Sequence, residues 1–275
     1  MPLSYTLSNT LWFIPIYSKK ILRLIMIQRN KHIDPFWIPL LKQTYQIPIF
    51  YKYLSFANAK LMLEKHNIQF TRGDGLNDPR DLDICKCDLS IIDALSIRFN
   101  IPQSIIAPKL QAQAKWIKSI GVCSLGQTGD NPKLWEDYAS TKNWMGKKRE
   151  NGICIGLDQN LLIDCLIKQK HLISAFVVNY VKDVEKTIPW ELSFGSQKEI
   201  WEFLYRVYAT KDIKWQDENE VRIVYADALT EVYKRIIIDK SCFKYVIFGK
   251  SISKKQKFEL EELISAYPNI QKIYR

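Results

Sequence analysis

Segments with strand-type and helix-type hydrophobic patterns follow one another along this chain without regular alternation. Residues 47–53, 121–125 and 153–157 are short apolar runs of strand length, whereas residues 196–209 repeat their apolar positions with the period of a helix. Regular strand–helix alternation would favour a parallel sheet, and its absence favours an antiparallel one. We therefore predict an α+β fold with a mostly antiparallel sheet flanked by helices.

Two sequence signatures mark where helices begin. Ser196 and Ser253 are each followed three residues later by Glu or Gln, which is the pattern of a capping box. In that motif the two side chains satisfy backbone N–H groups that have no partner in the first helical turn. We expect helices from Ser196 to about Ala209 and from Ser253 to about Tyr267.

The first 47 residues differ from the rest of the chain. They combine four prolines with apolar and aromatic residues, so we interpret residues 1–47 as an N-terminal extension and residues 48–275 as a single α+β domain. The longest early apolar run, residues 11–17, is far shorter than the roughly 20 residues of a membrane span, and no basic segment precedes it as in a signal peptide. We expect a cytoplasmic protein that does not cross a membrane.

Positive charge is concentrated in the two terminal segments. The chain carries 40 Lys and Arg against 29 Asp and Glu, a net charge of +11. Residues 1–50 hold six basic residues and one acidic residue, and residues 231–275 hold ten and five. Such segments can contact a nucleic-acid or protein target, or can form a solvated surface that aids solubility. The sequence leaves both interpretations open and does not fix the oligomeric state.

Metal ligands are scarce in this chain. It has six cysteines and three histidines. Cys85 and Cys87 are separated by one residue, which fits neither a zinc ribbon nor a redox Cys-x-x-Cys pair. We expect no metal site and no disulfide framework.

Two glutamates and an arginine stand at alternate positions near residue 220. If Glu218, Glu220 and Arg222 belong to one strand, their side chains share a face of the sheet. An acidic pair beside an arginine is costly in an apolar setting unless the charges are paired or functional. The group can contain a catalytic carboxylate that Arg222 keeps ionised, or it can be a solvated ladder of charges on an edge strand.

Two short polar motifs could line a pocket. Asn77-Asp78-Pro79 follows two glycines, and it either offers hydrogen-bond partners at a pocket rim or only forms a tight turn. In Tyr51-Lys52-Tyr53 both tyrosines share one strand face. Lys52 points to the other face, where it could hold a phosphate or remain a surface lysine.

A serine and two aromatic residues follow in the middle of the chain. Ser124 lies near the end of a predicted strand. Trp135 and Tyr138 are about one helical turn apart on the same side of a short predicted helix. An indole and a phenol that face one way can stack on a planar ligand, and they can equally belong to the core.

Taken in order, these motifs resemble a bacterial family known as domain-of-unknown-function family 2971. The similarity spans about residues 49–275. The matching motifs are Tyr51-Lys52-Tyr53, Asn77-Asp78-Pro79, Ser124-Leu125 with Leu134-Trp135 and Tyr138-Ala139, residues 152–156, Val178-Asn179-Tyr180, and Thr210-Lys211 with Trp215 and residues 218–222. The family name declares no activity, so this resemblance concerns membership and not function.

The same residues are similar, more distantly, to the motifs of the ADP-ribosyltransferase fold. Enzymes of that fold carry a His or Arg, then a Ser or Tyr, then a Glu on three short strands. This order resembles Lys52 or Tyr53, then Ser124, then Glu220. The resemblance implies that NAD is the substrate and that its nicotinamide–ribose bond breaks through an oxocarbenium-like state, which a carboxylate can stabilise.

This resemblance also implies a role for each candidate residue. Glu220 would be the catalytic carboxylate, Glu218 would orient the acceptor, and Ser124 would position the ribose or Glu220. The residues expected to bind NAD are Lys52, Asn77 and Arg222 at the diphosphate or the carboxylate, Tyr53 as the alternative to Lys52, Asp78 at the pocket rim, and Trp135 and Tyr138 beside the nicotinamide.

Three functional interpretations follow. The first is an intracellular NAD-consuming transferase or NAD glycohydrolase that acts as a toxin or in phage defence. The second is a nucleic-acid-binding defence protein that uses the basic termini, with the steep salt dependence of phosphate contacts. The third is a non-enzymatic interaction protein in which Glu218, Glu220 and Arg222 form an internal ion-pair network.

Overall fold

The computed structural model describes residues 46–275, except residues 79–80, 83–88, 143, 170–172 and 185–187. Strands and helices are mixed along this part of the chain, and the main sheet is mostly antiparallel. The predicted α+β fold is confirmed. Nearly all of the N-terminal extension, Pro79, Cys85 and Cys87 lie outside the described residues, and the division into an extension and one domain stays a prediction.

Regular secondary structure covers most of the described chain. The strands are β1 (Ile49–Leu54), β2 (Asn67–Arg72), β3 (Ile120–Gly126), β4 (Thr141–Lys142), β5 (Lys148–Arg149), β6 (Ile153–Asp158), β7 (Ile173–Val177), β8 (Asn179–Val181), β9 (Thr210–Asp212), β10 (Glu220–Ala228), β11 (Tyr233–Ile237), β12 (Phe243–Phe248) and β13 (Gln271–Tyr274). The helices are α1 (Phe56–Lys65), α2 (Leu89–Phe99), α3 (Gln103–Ser119), α4 (Pro132–Tyr138), α5 (Gln159–Lys168), α6 (Gln197–Ala209) and α7 (Lys254–Ile264). Short 3-10 turns cover Gly73–Gly75, Trp190–Phe194, Ile213–Glu218 and Lys240–Cys242.

One sheet organises the described residues. Its strands are ordered β11-β2-β3-β1-β6-β12-β13, and β10 also pairs with β3 and carries β7 beside it. Its pairs are antiparallel except for β12 and β13, which run parallel. The pairs β4-β5 and β8-β9 form two separate small sheets.

The main sheet forks next to β3. One edge of β3 is occupied by β10 along its whole length. The opposite edge is shared, because β2 pairs there through Thr71 and Val122 while β1 pairs there through Tyr51 and Gly126. The strands β1 and β2 therefore diverge, and residues 123–125 of β3 border the opening between them.

Helices cover both faces of the sheet because strand residues alternate between two cores. On β10, Val221, Ile223 and Tyr225 face a core that also contains buried residues of α1, α5 and α7. Val224 faces the opposite core, which contains buried residues of α2, α3 and α6. Residues 221–225 therefore alternate between the two faces of the sheet.

One predicted helix boundary differs from the structure. Both capping boxes are formed as expected, but α7 ends at Ile264 and not at Tyr267. The helix α3 contains Pro108, and its buried apolar face continues on both sides of the proline. Residues 173–181 form two short strands, β7 and β8. In the described part of the chain, every helix is too short or too polar to cross a lipid bilayer.

Candidate functional site

A cavity of about 540 Å³ lies at the fork of the sheet. Its walls come mainly from β1, β2, β3 and β11, so the opening between the diverging strands becomes a pocket. This volume falls within the range of small-molecule sites, roughly 300–1,000 Å³. The buried end of the cavity is charged, since Asp81, Lys211, Glu218 and Glu220 line it.

Charged side chains meet at this end of the cavity. Lys211 Nζ donates hydrogen bonds to Glu218 Oε2 at 2.6 Å and to Glu220 Oε2 at 2.9 Å. Arg222 Nε donates to Glu220 Oε1 at 2.8 Å, and its Nη2 donates to Asp81 Oδ2. All five residues are buried, and three carboxylates against two cations leave one negative charge in surplus. We call these five residues the charged cluster.

Glu218 and Glu220 reach the charged cluster from different elements. Glu220 begins β10, but Glu218 ends the 3-10 turn before it. Asn219 between them has a left-handed backbone, with φ of 45°, which interrupts strand geometry. The prediction of one shared strand face is therefore wrong for Glu218 and confirmed for Glu220 and Arg222. The interpretation of these residues as a solvated ladder of charges on an edge strand is also wrong. The strand β10 is paired on both sides, and Arg222 is 0% exposed.

The two cations of the cluster keep Glu220 ionised. Burial alone would raise the pKa of the Glu220 carboxyl, but Arg222 and Lys211, with a hydrogen bond from Ser124, lower it to about 2. Burial likewise opposes the charge of Lys211, yet Glu220 and the other carboxylates raise its pKa. The pKa of Arg222 is also raised, because Asp81 and Glu220 outweigh its burial. At neutral pH Glu220 is thus a permanent anion and not a group that exchanges protons.

Ser124 connects the charged cluster to the open edge of β3. It lies opposite Arg222 in the β3–β10 ladder, and its side chain contributes to the lowered pKa of Glu220. Its carbonyl oxygen accepts a hydrogen bond of 2.8 Å from Lys52 Nζ. The Lys52 ammonium therefore reaches from β1 to β3 along the wall of the cavity.

A chain of hydrogen bonds runs from Asn77 to Glu218. Asn77 Nδ2 donates to the Tyr138 hydroxyl at 2.8 Å, and that hydroxyl donates to Glu218 Oε1 at 3.0 Å. Burial, and then the Glu218 carboxylate, raises the pKa of Tyr138, so its hydroxyl stays protonated. Asp78 instead accepts a hydrogen bond of 2.6 Å from Trp215 Nε1. Asn77 and Tyr138 line the cavity but Asp78 does not, so the expectation that Asp78 lies at the pocket rim is wrong.

Trp135 and Tyr53 pack in the core next to α4. Trp135 is fully buried, its Nε1 donates to the Gly129 carbonyl at 3.0 Å, and its ring meets that of Tyr53 edge-on. The Tyr53 hydroxyl donates to the Thr128 carbonyl at 2.7 Å and so fixes the loop before α4. The expectation that Trp135 flanks a ligand is therefore wrong, because its ring has no exposed surface. Of the two aromatic residues of α4, only Tyr138 reaches the cavity.

Three residues of the site were missed by the sequence analysis. Lys211 and Asp81 complete the charged cluster, and Asn131 Nδ2 donates to the carbonyls of Asp217 and Glu218 at 2.7 and 3.1 Å. The sequence contained an indication of the role of Lys211, because a lysine shortly before two glutamates can form ion pairs with them. It contained no indication for Asp81, since the arginine with which Asp81 pairs is 141 residues away in sequence.

The charged cluster is not arranged as a metal site. Among the residues described, no group of three or more His, Cys, Asp or Glu side chains is placed to hold a metal ion. Each carboxylate of the cluster instead meets a lysine or arginine. Lys211 and Arg222 therefore supply the positive charge that a metal ion would supply to such carboxylates.

Comparison with known proteins leaves the family open. No protein-family model matches the chain, and no curated protein matches it. The resemblances to family 2971 and to the ADP-ribosyltransferase fold therefore stay predictions that depend on the motifs.

Proposed function

We propose that this protein consumes NAD, either by transferring its ADP-ribose to an acceptor or by hydrolysis. The bond between nicotinamide and ribose breaks, and its electron pair leaves with the nicotinamide nitrogen, which becomes neutral. The ribosyl carbon becomes electron-deficient until water or an acceptor group bonds to it and loses a proton. The observation that carries this proposal is Glu220, an ionised carboxylate at the buried end of the cavity.

The ionised state of Glu220 suits bond cleavage of this kind. A fixed carboxylate stabilises the positive charge that develops on the ribose, and such preorganised stabilisation is worth about 3–4 kcal/mol per group. With a pKa of about 2, Glu220 supplies charge and does not take the acceptor's proton near neutral pH. Lys211 and Arg222 hydrogen-bond this carboxylate and hold it in one orientation, and Ser124 contributes to its lowered pKa.

The distribution of charge in the cavity favours a dinucleotide ligand. The charged cluster has a surplus negative charge, which attracts the cationic nicotinamide ring of NAD. Lys52 lies on the adjoining wall, where its ammonium can bind a phosphate in addition to the Ser124 carbonyl. A ligand that carries a cationic ring and a diphosphate would place its positive charge at the charged cluster and its negative charge at Lys52.

The test is nicotinamide release from NAD by the purified protein, with Glu220→Gln beside it. Glutamine keeps the shape of the side chain and removes its charge, so we expect release to fall by roughly 10²–10³-fold. Because Glu220 also pairs with Lys211 and Arg222, the variant loses stability as well. Thermal melting of both proteins therefore accompanies the assay.

A second variant separates catalysis from stability. Ser124→Ala removes a hydroxyl that lines the cavity with Glu220 and helps to lower its pKa, and it leaves every charge in place, so we expect a folded protein with reduced nicotinamide release. Glu262→Gln, at an exposed position of α7, is the control for loss of a carboxylate. No nicotinamide release by the wild-type protein, or full release by folded Glu220→Gln, would overturn the proposal.

The charged cluster itself favours a second candidate, a non-enzymatic interaction protein with an internal ion-pair network. Each carboxylate of the cluster already meets a cation, as such a network requires. For that candidate Glu220→Gln melts at a lower temperature and the wild-type protein releases no nicotinamide. The nucleic-acid alternative, the cytoplasmic location and a role as a toxin or in phage defence stay predictions.

A further inference from the structure

The mouth of the cavity carries a second basic residue, Arg235, which the proposed bond cleavage does not use. Arg235 lies on β11, is exposed, and lines the cavity. Its guanidinium lies over the ring of Tyr233, with 4.8 Å between its central carbon and the ring centroid. Among the residues that the structure describes, no carboxylate forms an ion pair with Arg235. Its charge is therefore available to a ligand.

The pairing of β2 with β11 turns these side chains toward the cavity. Tyr233 lies opposite Thr71, and Arg235 lies opposite Gln69. Opposite residues of an antiparallel pair share a face, so these four side chains form one polar face, and all four line the cavity. Ile236, which alternates with them, is buried in the core on the other side.

We propose that the mouth of the cavity binds the base and diphosphate of a nucleotide. Arg235 and Lys52 contact the phosphate oxygens, and the Tyr233 ring stacks on the base. The forked N–H donors of a guanidinium group match the geometry of phosphate oxygens. A tyrosine ring can stack on the planar face of any nucleotide base. The inference rests on the proposed function only for the identity of that nucleotide as the ADP half of NAD.

Charge also orients the nucleotide along the cavity. The charged cluster at the buried end has a surplus negative charge, whereas Lys52 on the wall and Arg235 at the mouth are positive. Phosphates are repelled from the buried end and attracted toward the mouth. The nicotinamide ribose of a bound dinucleotide therefore lies at Glu220 and its adenosine lies at Tyr233.

The probe for this site is ADP, which has the base and the diphosphate and lacks nicotinamide. Calorimetry at low salt measures its Kd for the wild-type protein and for Arg235→Ala, and we expect the variant to bind about tenfold more weakly or worse. Lys272→Ala on β13 is the matched control, because it removes the same charge from an exposed position that does not line the cavity. Its Kd for ADP should equal that of the wild-type protein.

Tyr233→Leu tests the contact with the base. It keeps an apolar side chain and removes the aromatic ring, so we expect weaker binding of ADP and unchanged binding of inorganic pyrophosphate. Circular dichroism confirms that each variant is folded. Equal ADP affinity in the wild-type protein and in Arg235→Ala, or no ADP binding by the wild-type protein, would overturn the inference.

The inference and the proposed function fail separately. ADP binding that depends on Arg235, in a protein that releases no nicotinamide, keeps the nucleotide site and removes the NAD cleavage. Nicotinamide release whose KM is unchanged in Arg235→Ala keeps the cleavage and removes the nucleotide site at the mouth.

Discussion

Lys211 joins the two glutamates of the charged cluster. Its ammonium hydrogen-bonds Glu218 and Glu220 at 2.6 and 2.9 Å, and all three side chains are buried. Without it, two buried carboxylates face each other, and only Glu220 keeps a cation, Arg222, beside it. Charges removed from water interact strongly, and breaking a buried ion pair costs about 3–5 kcal/mol.

We expect Lys211→Met to lower the free energy of unfolding by about 3–5 kcal/mol, because methionine removes the charge and leaves the buried Glu218 carboxylate without a cation. Lys214→Met is the matched control. Lys214 is exposed, and its ammonium lies 3.7 Å from Asp78 and 3.8 Å from Asp212, so its loss should cost less than about 1 kcal/mol. Urea unfolding measures both variants, and equal destabilisation would contradict the role of Lys211.

The sequence identified several residues of the site, but it did not show which side chains they contact. Glu220 and Ser124 stand out from strand spacing and motif order, and both lie at the cavity. Alternate residues share a face of the sheet only within one continuous strand. The left-handed backbone of Asn219 interrupts the strand, so this rule does not apply to Glu218. Lys211 and Asp81 join the cluster through turns and long-range packing, which single-residue patterns do not encode.

Among the elements, α4 and the 3-10 turn before β10 are held together by one side chain, that of Asn131. Its Oδ1 accepts a hydrogen bond of 3.1 Å from Leu134 N–H and so caps α4. Its Nδ2 donates to the carbonyls of Asp217 and Glu218 at the end of the turn. Asn131 therefore positions both Tyr138, on the helix, and the turn that presents its carboxylate partner.

Asn131→Asp separates the capping of α4 from the support of the turn. Aspartate caps a helix as well as asparagine does, but it cannot donate to the two carbonyls. Lost buried hydrogen bonds cost about 1–3 kcal/mol, so we expect the free energy of unfolding to fall by that amount. The control is Asp158→Asn at the cap of α5, which exchanges two good caps without losing a donor. Thermal melting that shows the same small shift for both variants would contradict this role of Asn131.

The existence of elements could be predicted from the sequence, but the fork of the sheet could not. Capping boxes and apolar alternation are local, so they identified α6, α7 and the faces of β10. The fork depends on β3 pairing with β2 through Val122 and with β1 through Gly126. Strand propensity does not say which strands become neighbours, and so the cavity could not be placed from the sequence.

At the scale of the whole molecule, basic and acidic side chains are interleaved near the C-terminus. Ion pairs join Lys60 to Glu259, Lys244 to Asp158, and both Lys250 and Arg275 to Glu150. A nucleic-acid-binding surface usually needs a contiguous basic face, and these carboxylates interrupt one. Most of the other basic segment lies outside the described residues, so the nucleic-acid alternative stays a prediction.

The stability of the whole molecule in acid depends on the charged cluster. The pKa of Glu220 in the folded protein is about 2, below its ordinary value of 4.5. As the pH falls below about 4.5, the unfolded chain binds a proton that the folded protein does not. The stability that comes from this carboxylate is therefore complete above that pH and is lost as the pH falls toward 2, at up to about 1.4 kcal/mol per pH unit.

We expect the free energy of unfolding of the wild-type protein to fall more steeply than that of Glu220→Gln between about pH 5 and about pH 3. The variant starts from a lower stability, but it lacks the titrating carboxylate, so its dependence on pH is flatter. Urea unfolding at several pH values gives both slopes, and Glu262→Gln, at an exposed position, should keep the wild-type slope. Equal slopes for the wild-type protein and Glu220→Gln would mean that the cluster does not hold Glu220 ionised. The electrostatic basis of the proposed NAD cleavage would then fail as well, because that cleavage depends on a permanent charge at Glu220.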